Sequence, residues 1–375
     1  MLYILILLCF FIVLIMMLIT YSYIMTQLEE HSAKIDFLFE EYKRRLEGHR
    51  EIPEDVDVIE SRLNNVQEIV PFFTTSSVQN PQMLSANIEL FVAERNGTVR
   101  VLSDIDEHNK VFKLPGIFTD NEAGLLGLAL DPKFKENKCL YVYYTTITNG
   151  RIVNELASYK FTGNSLRNKS VLLTGVPASN QNNGGHIAFG QDCNLYLSTG
   201  DSNEPFLSQD LDSLAGKILK LTFSETQELT KEVYAYGLRN PESFAWDSDG
   251  NLWVTDCGPE GFDKIIKLTE KCNCGWASNT FEIIQPYLTS GSTSWRPVSL
   301  TIVDDVLYFS CLNTRSLAKL SLKDTSRNVK HNYYNTFGRI RGLCVVNKVM
   351  YFGTCNHDDL NVLQEDDDYV LMLEM

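Results

Sequence analysis

Basic residues are scarce in this chain, which has 33 Lys and Arg against 48 Asp and Glu and a formal net charge of -15. Nucleic-acid binding needs a basic face that neutralises phosphates, so this balance argues against a nucleic-acid partner. Hydrophobic residues make up 44% of the chain and charged residues 22%, which is a globular rather than a disordered composition. Aromatic residues reach 11% and cluster in short β-branched runs, a pattern that favours strands.

Charge is absent from the first 19 residues, and the apolar stretch continues to about Met25. Because roughly 20 apolar residues span a bilayer, residues 1–25 are predicted to form a transmembrane helix. A cleavable signal peptide would have a basic leading segment, a shorter apolar core and a small-x-small cleavage site. The sequence lacks all three, so we expect a retained signal-anchor.

Residues 26–86 are predicted to form a helical stalk followed by a linker. Between residues 27 and 50, apolar side chains fall near helical spacing with charges between them. This pattern predicts a solvated spacer helix, or stalk, with a short coiled coil as the alternative. Pro53, Pro71 and Pro81 interrupt the following stretch, so we expect a linker there.

From residue 87 onward, one pattern recurs: an apolar residue, an aromatic residue and a second apolar residue, usually after a polar turn. The copies are Leu90-Phe91-Val92, Leu140-Tyr141-Val142, Leu195-Tyr196-Leu197, Leu252-Trp253-Val254, Leu307-Tyr308-Phe309 and Met350-Tyr351-Phe352. Near-regular repeats of about 50 residues, each holding several short strands, are the signature of a propeller. The sequence therefore predicts an all-β, six-bladed β-propeller over residues 87–364, followed by a solvated acidic tail at residues 365–375.

Several loops combine glycine, asparagine, arginine and tryptophan in an unusual way. They contain Glu122-Ala123-Gly124, Asn182-Asn183-Gly184-Gly185-His186, Leu214-Ala215-Gly216-Lys217, Arg239-Asn240-Pro241, Asp256-Cys257-Gly258-Pro259, Asn273-Cys274-Gly275-Trp276 and Gly338-Arg339-Ile340-Arg341. In this order, the motifs resemble the glucose/sorbosone dehydrogenase family, which includes soluble quinoprotein sugar dehydrogenases and hedgehog-interacting proteins. The resemblance covers about residues 88–354 and implies a six-bladed propeller. It also implies a pocket for pyrroloquinoline quinone and calcium at one end of the propeller axis.

The resemblance assigns roles to five polar residues of this pocket. Arg239 would lie by the reacting oxygen and the quinone, with Asn240 as its neighbour. Arg339 and Arg341 would face the carboxylates of the cofactor, which suit the guanidinium fork. Glu122 would stand near a polar contact of the cofactor. The alternative for these arginines is a structural role in salt bridges between blades.

The same resemblance places the metal and the base of the reaction. The backbone carbonyls of Gly258 and Pro259 match the family's calcium ligands. The catalytic base of the family is a histidine, and its position is held here by Asn182. Asparagine has no proton-accepting pKa near neutrality and cannot act as that base. We expect His186, four residues later, to be an ordinary strand or pocket histidine.

A pocket with its arginines but without its base leaves three functions open. We expect a non-catalytic binding module with a vestigial quinone pocket, whose loops around the axis bind a protein or carbohydrate ligand. One alternative is a sugar (aldose) dehydrogenase that depends on pyrroloquinoline quinone and calcium. Another is a structural envelope or surface protein. The cofactors are accordingly either pyrroloquinoline quinone with calcium or none.

Two sequence features disagree about the side of the membrane on which the propeller lies. The basic residues nearest the hydrophobic segment, beginning at Lys34, all follow it, and the positive-inside rule would place this side in the cytoplasm. Sequons begin at Asn96 and Asn168, and eight of the nine cysteines lie beyond the segment, an even number compatible with disulfides. The family that the sequence resembles is largely exported. Together with the sequons and cysteines, this favours a type II membrane glycoprotein with an exported or luminal propeller. The Cys-x-Cys pair lacks a neighbouring His or second Cys pair, which argues against zinc.

Overall fold

The described part of the computed structural model covers residues 56–60, 66–73, 88–103, 109–224, 228–333, 336–346, 348–356 and 368–375. The predicted transmembrane helix and helical stalk lie outside these residues. Within them, no helix has the length and apolar character needed to cross a membrane. The described strands all belong to one compact unit, Ile52–Met375.

Six sheets of four or five strands, antiparallel except for one parallel pairing in blade 3, form the described structure, one for each predicted blade. Blade 1 contains β2 (Val66–Phe73), β3 (Ile88–Glu94), β4 (Thr98–Ser103) and β5 (Lys110–Lys113). Blade 2 contains β6 (Leu125–Leu130), β7 (Cys139–Thr148), β8 (Arg151–Phe161) and β9 (Leu166–Pro177). Blade 3 contains β10 (Gly184–Phe189), β11 (Leu195–Thr199), β12 (Lys217–Phe223) and β13 (Leu229–Tyr236), with β17 (Cys272–Asn273) parallel to β13.

The remaining blades have the same order of strands. Blade 4 contains β14 (Pro241–Trp246), β15 (Leu252–Asp256), β16 (Lys264–Lys267) and β18 (Leu288–Thr289). Blade 5 contains β19 (Pro297–Val303), β20 (Val306–Cys311), β21 (Ser316–Ser321) and β22 (Lys330–Asn332). Blade 6 contains β23 (Ile340–Val346), β24 (Val349–Thr354), β25 (Val370–Glu374) and β1 (Val56–Glu60). The innermost strands β2, β6, β10, β14, β19 and β23 pack side by side in a closed ring.

The aromatic repeat marks the same strand in every blade. Its six copies lie on β3, β7, β11, β15, β20 and β24, which are the second strands from the axis. Their side chains fill apolar layers between neighbouring blades. Between blades 1 and 2, the Phe91 ring meets the rings of Phe134 and Phe161 edge-on, each with its centroid 5.4 Å away. Such contacts add about 0.5–1.5 kcal/mol each beyond the buried area. The six-bladed propeller is confirmed.

The two ends of the described chain close the ring, and they extend past the predicted domain boundaries. The strand β1 is the outermost strand of blade 6 and pairs antiparallel with β25. The strand β2, in the segment expected to be linker, is the innermost strand of blade 1. The strand β25, in the segment expected to be an acidic tail, pairs with β24. This pairing provides backbone partners for a sheet edge that would otherwise be open.

All six innermost strands among the described residues have a β-bulge near their first residues. Because each innermost strand is antiparallel to the second strand, this is the end at which the second strands finish. A bulge bends the strand and turns a side chain away from the regular alternation. The fold thus gathers redirected side chains and the loops between strands at one end of the axis, here called the axial end.

Candidate functional site

Four charged side chains from four blades form a continuous ion-pair network at the axial end. Glu122 of blade 2 pairs with Arg296, which immediately precedes blade 5. An Arg296 guanidinium nitrogen lies 4.0 Å from Glu242 of blade 4, and Glu242 pairs with Arg341 of blade 6 at 2.7 Å. We call these four residues the axial network. Its two carboxylates and two guanidinium groups sum to zero charge.

The bulges explain how strand residues reach this network. Glu242 is the extra residue of the bulge between Pro241 and Ser243, so its side chain leaves the sheet alternation. Arg341 lies at the corresponding bulge of β23, next to Gly342. The side chains of Glu242 and Arg341 are only 6% and 9% exposed, so their pairing compensates two buried charges.

The charges of the network shift the pKa values of its members in the directions expected for ion pairs. Burial acts to raise the pKa of Glu122, but Arg296, the amide of Asn182 and Arg341 outweigh it and lower the pKa. Burial acts to lower the pKa of Arg341, but Glu242 dominates and raises it. Both groups are therefore held in their charged forms.

Asn182 lies beside the axial network, and hydrogen bonds from its backbone and its side chain fix its position. Its backbone N–H donates to Glu122 Oε2 at 3.0 Å. Its side-chain amide donates to Asp201 Oδ1 at 3.0 Å and to Asn203 Oδ1 at 3.2 Å. The backbone has a positive φ of 55°, and a Cβ on Gly200 would lie 1.9 Å from the Asn182 carbonyl oxygen. Asn182 thus holds three loop groups together, and its side chain is a hydrogen-bond donor to two of them.

The histidine near Asn182 packs into an interface between blades. The His186 ring meets the Phe244 ring edge-on at 4.6 Å, and Phe244 belongs to the apolar layer between blades 3 and 4. His331, the other described histidine, bonds Ser316 on the outer part of blade 5. His186 thus lies on β10 with its ring against a neighbouring blade, and its expected lack of a catalytic role stays a prediction.

Arg239 lies between an aromatic ring and backbone oxygens. Its guanidinium group is 5.7 Å from the centre of the Trp276 ring. One of its nitrogens donates to the carbonyl oxygens of Cys257 and Gly258, each at 3.1 Å. The Trp276 indole donates to Asp201 Oδ2 at 2.8 Å, which connects this pair to Asn182.

These contacts do not fit the calcium site that the resemblance implies. The Gly258 carbonyl, an expected calcium ligand with that of Pro259, accepts from a positively charged group. Calcium needs about 6–8 oxygen ligands, usually with carboxylates among them. The neighbouring Asp263 instead accepts from the backbone N–H groups of Gly258, Trp295 and Arg296. No cluster of three or more metal-binding side chains occurs among the described residues.

The residues expected to contact the quinone divide into three kinds of environment. Arg341 is neutralised by Glu242. Asn240 accepts from the Gly184 N–H at 3.0 Å and donates to Glu242 at 2.9 Å, so its amide joins two blades. Arg339 is half-buried, and its guanidinium group has no hydrogen bond or ion pair to the described residues. The alternative of salt bridges between blades therefore applies to Arg341.

Sequence reasoning missed Glu242 and Arg296, which complete the axial network. A signal for Arg296 was present, because Arg296-Pro297 begins blade 5 as Asn240-Pro241 begins blade 4. Glu242 could not be recognised, because its inward position depends on the bulge.

The sequons and cysteines have local surroundings that bear on their predicted modifications. Asn168 is exposed on β9, and Asn96 is half-buried in the turn after β3. All eight described cysteines are free thiols, so the disulfides that their even number suggested are not formed. The buried Cys139, Cys257 and Cys311 lie in three different blades, which keeps these three thiols apart.

A six-bladed propeller with a polar site at one end of its axis defines a class that includes sugar-oxidising enzymes and binding proteins. Within this class, the chain belongs to the glucose/sorbosone dehydrogenase family, whose model matches residues 79–290.

Known relatives come from both groups of this family. The aldose sugar dehydrogenase YliI of Escherichia coli is 27% identical over 191 residues, which are 45% of this chain and 50% of the relative. The human hedgehog-interacting protein is 29% identical over 212 residues, which are 44% of this chain and 30% of the relative. The chain thus spans about half the length, or less, of these relatives.

Solved structures extend the similarity over most of the chain. A glucose dehydrogenase-type oxidoreductase of Thermus thermophilus has a TM-score of 0.73 and 28% identity, covering 85% of this chain and 99% of its own. The aldose sugar dehydrogenase of Streptomyces coelicolor, solved with pyrroloquinoline quinone, has a TM-score of 0.72 at 24% identity. It covers 85% of this chain and 97% of its own, and it supports the fold alone.

Proposed function

We propose that this protein is a non-catalytic propeller of the glucose/sorbosone dehydrogenase family that binds a protein or carbohydrate partner at its axial end. The observation that carries the proposal is the environment of Asn182, which the sequence resemblance aligns with the family's catalytic base. A carboxamide does not take up a proton near neutrality, and the amide nitrogen of Asn182 donates to Asp201 and Asn203. Loss of a general base costs about 10²–10⁴-fold in rate.

No neighbouring carboxylate replaces the base among the described residues of the axial network. Glu122 has a lowered pKa and is paired with Arg296. Glu242 is paired with Arg341. A carboxylate that is stabilised in its charged form is a weak proton acceptor, so hydroxyl deprotonation at this site is disfavoured.

Exposed aromatic side chains on the loops of the axial end support a binding role. Phe206, Phe262 and Phe281 are 82%, 58% and 102% exposed. Phe262 also has a positive φ of 54°, which is rare for a bulky residue and is typical of functional loops. Exposed rings around a polar site can contact sugar faces or apolar side chains of a protein.

A photo-crosslinking residue placed at Phe281 tests this surface directly. We expect a crosslinked partner on cells that carry the natural ligand, and none from the same residue at Val111 on the outer strand β5. Equal crosslinking at both positions, or none at Phe281 and Phe206, contradicts a binding surface at the axial end.

The alternative function is a sugar dehydrogenase that uses pyrroloquinoline quinone and calcium. Arg339 favours it, because a half-buried guanidinium group without a described partner suits an anionic ligand. Calorimetric titration with pyrroloquinoline quinone, with and without calcium, separates the two functions. We expect no calcium-dependent binding, because Arg239 occupies the Gly258 carbonyl. Tight calcium-dependent binding that is lost in Arg339→Met would favour the enzyme.

We further propose that residues 1–25 anchor the protein in a membrane as a type II protein with an exported or luminal propeller. The uncharged first 19 residues and the exposed Asn168 sequon support this arrangement. Protease protection on sealed membranes tests it. We expect the propeller to survive protease added from the cytoplasmic side and to carry a glycan that is lost in Asn168→Gln. Complete digestion of the propeller from that side refutes the topology.

A further inference from the structure

The second, third and fourth strands of blade 2 are extended. The strands β7, β8 and β9 have 10, 11 and 12 residues and are the longest strands of the described structure. The strand β7 pairs with β6 only as far as Tyr144, so residues 145–148 continue with β8 as a projecting hairpin. The turn residues Asn149 and Gly150 have positive φ values of 53° and 74°, as a two-residue hairpin turn requires.

A cavity of about 500 Å³ lies against this hairpin. Its volume falls within the range of about 300–1,000 Å³ that is typical of small-molecule sites. Most of the lining residues are polar, and they come from β7, the turn, β8 and β9: Thr148, Asn149, Arg151, Val153, Thr174 and Gly175. The cavity therefore suits a polar ligand.

A β-bulge shapes one wall of the cavity. Two residues of β9, Thr174 and Gly175, face the single residue Glu155 of β8. A bulge turns a side chain away from the regular alternation, and here the Thr174 hydroxyl reaches Glu155 Oε1 at 2.8 Å. Gly175 has a positive φ of 73°, and a Cβ on it would meet no atom within 4 Å. The wall is thus open at Gly175.

The buried Glu155 carboxylate sets the direction of two hydroxyl groups in the wall. It accepts from the Tyr144 hydroxyl at 2.7 Å, from Thr148 at 3.3 Å and from Thr174. Burial acts to raise the pKa of Glu155, but these three hydrogen bonds outweigh it and lower the pKa. Because an ionised carboxylate only accepts, both threonines donate to it, and their oxygen lone pairs remain available to a ligand that donates.

We propose that this cavity binds a neutral sugar through its hydroxyl groups. The sugar hydroxyls donate to the oxygens of Thr148 and Thr174, and the exposed Arg151 and Asn149 donate to the sugar oxygens. A neutral ligand also suits the charges, because an anion would meet the buried Glu155 and a cation would meet Arg151. The site goes beyond the proposed function, since it lies on other strands of blade 2 and shares no residue with the axial network.

Saturation-transfer difference NMR on the full-length protein in a sugar-free detergent tests the site. The probes are glucose, galactose, mannose and their disaccharides, with glucuronate and glucosamine as charged counterparts. We expect binding of a neutral sugar that is lost in Gly175→Asn, because the new side chain fills the cavity and asparagine tolerates a positive φ. Gly150→Asn is the matched control, since Gly150 also has a positive φ and open space but does not line the cavity. This control should bind as the unmodified protein does.

A second variant keeps the test independent of how Gly175→Asn folds. Thr174→Val replaces an exposed side chain by one of the same shape without the acceptor, and we expect about tenfold weaker binding. Absence of binding by every neutral sugar overturns the proposal. So does binding that both variants leave unchanged, because the sugar would then lie elsewhere. Tighter binding of glucuronate or glucosamine than of the neutral sugars contradicts the assigned ligand class.

Discussion

Glu242→Gln should be among the most destabilising conservative substitutions at the axial end. The substitution removes the charge that pairs with Arg341 at 2.7 Å and lies 4.0 Å from Arg296. Arg296 keeps Glu122 as a partner, but Arg341, whose side chain is only 9% exposed, loses its 2.7 Å ion pair. Breaking a buried ion pair from one side costs about 3–5 kcal/mol. Because the side-chain oxygen of Gln can still accept the hydrogen bond from Asn240, we expect a loss at the lower end of this range, about 3 kcal/mol in the free energy of unfolding.

Urea denaturation followed by tryptophan fluorescence measures this loss. The double variant Glu242→Gln/Arg341→Met removes both charges and should recover much of the stability lost in Glu242→Gln. The exposed pair of Lys323 and Asp305 is the matched control, and Lys323→Met should leave the urea midpoint unchanged. A Glu242→Gln loss under about 1 kcal/mol, or a double variant whose losses simply add, refutes the buried-pair reasoning.

Three further predictions concern other parts of the propeller. Burial lowers the pKa of Lys217 to about 8, and its ammonium group donates to the carbonyls of Leu207, Ser208 and Ala215. Between pH 8 and the ordinary lysine pKa of 10.5, the unfolded chain binds a proton that the folded chain lacks. The free energy of unfolding of the unmodified protein, relative to that of Lys217→Met, should therefore rise with pH in this window by at most about 3 kcal/mol. Urea unfolding at several pH values measures this difference, and a difference that does not change with pH contradicts the prediction. Gly200→Ala should cost about 2 kcal/mol or more, because its Cβ would meet a backbone oxygen at 1.9 Å, and an unchanged urea midpoint refutes this close approach. Deleting residues 1–61 removes β1 and leaves the edge of β25 unpaired, so it should lower the melting temperature and promote aggregation. An unchanged melting curve would show that β1 does not close the ring.

The propeller could be predicted from the sequence because its second strands repeat one local pattern. An apolar–aromatic–apolar triplet fills the layer between two blades, so the spacing of the triplets counts the blades directly. The closure of the ring was not predictable in this way. The strands β1 and β25 have no such triplet, and their pairing joins residues from opposite ends of the chain.

The candidate site was predictable only where a residue belongs to a recognisable motif. Asn182, Arg239 and Arg341 were found by position, but the partners that determine their chemistry come from distant loops. Arg296 contacts Glu122, which lies in blade 2, and Glu242 reaches the axis through a bulge. The charge balance of the site thus depends on tertiary contacts that the motif cannot report.

Sugar-dependent dye reduction by the purified full-length protein, supplied with pyrroloquinoline quinone and calcium, tests the central claim most directly. A non-catalytic propeller predicts a rate equal to that of the same mixture without protein, across a panel of aldoses and at every pH tested. Saturable turnover by the unmodified protein, dependent on both the quinone and the sugar, would contradict the account.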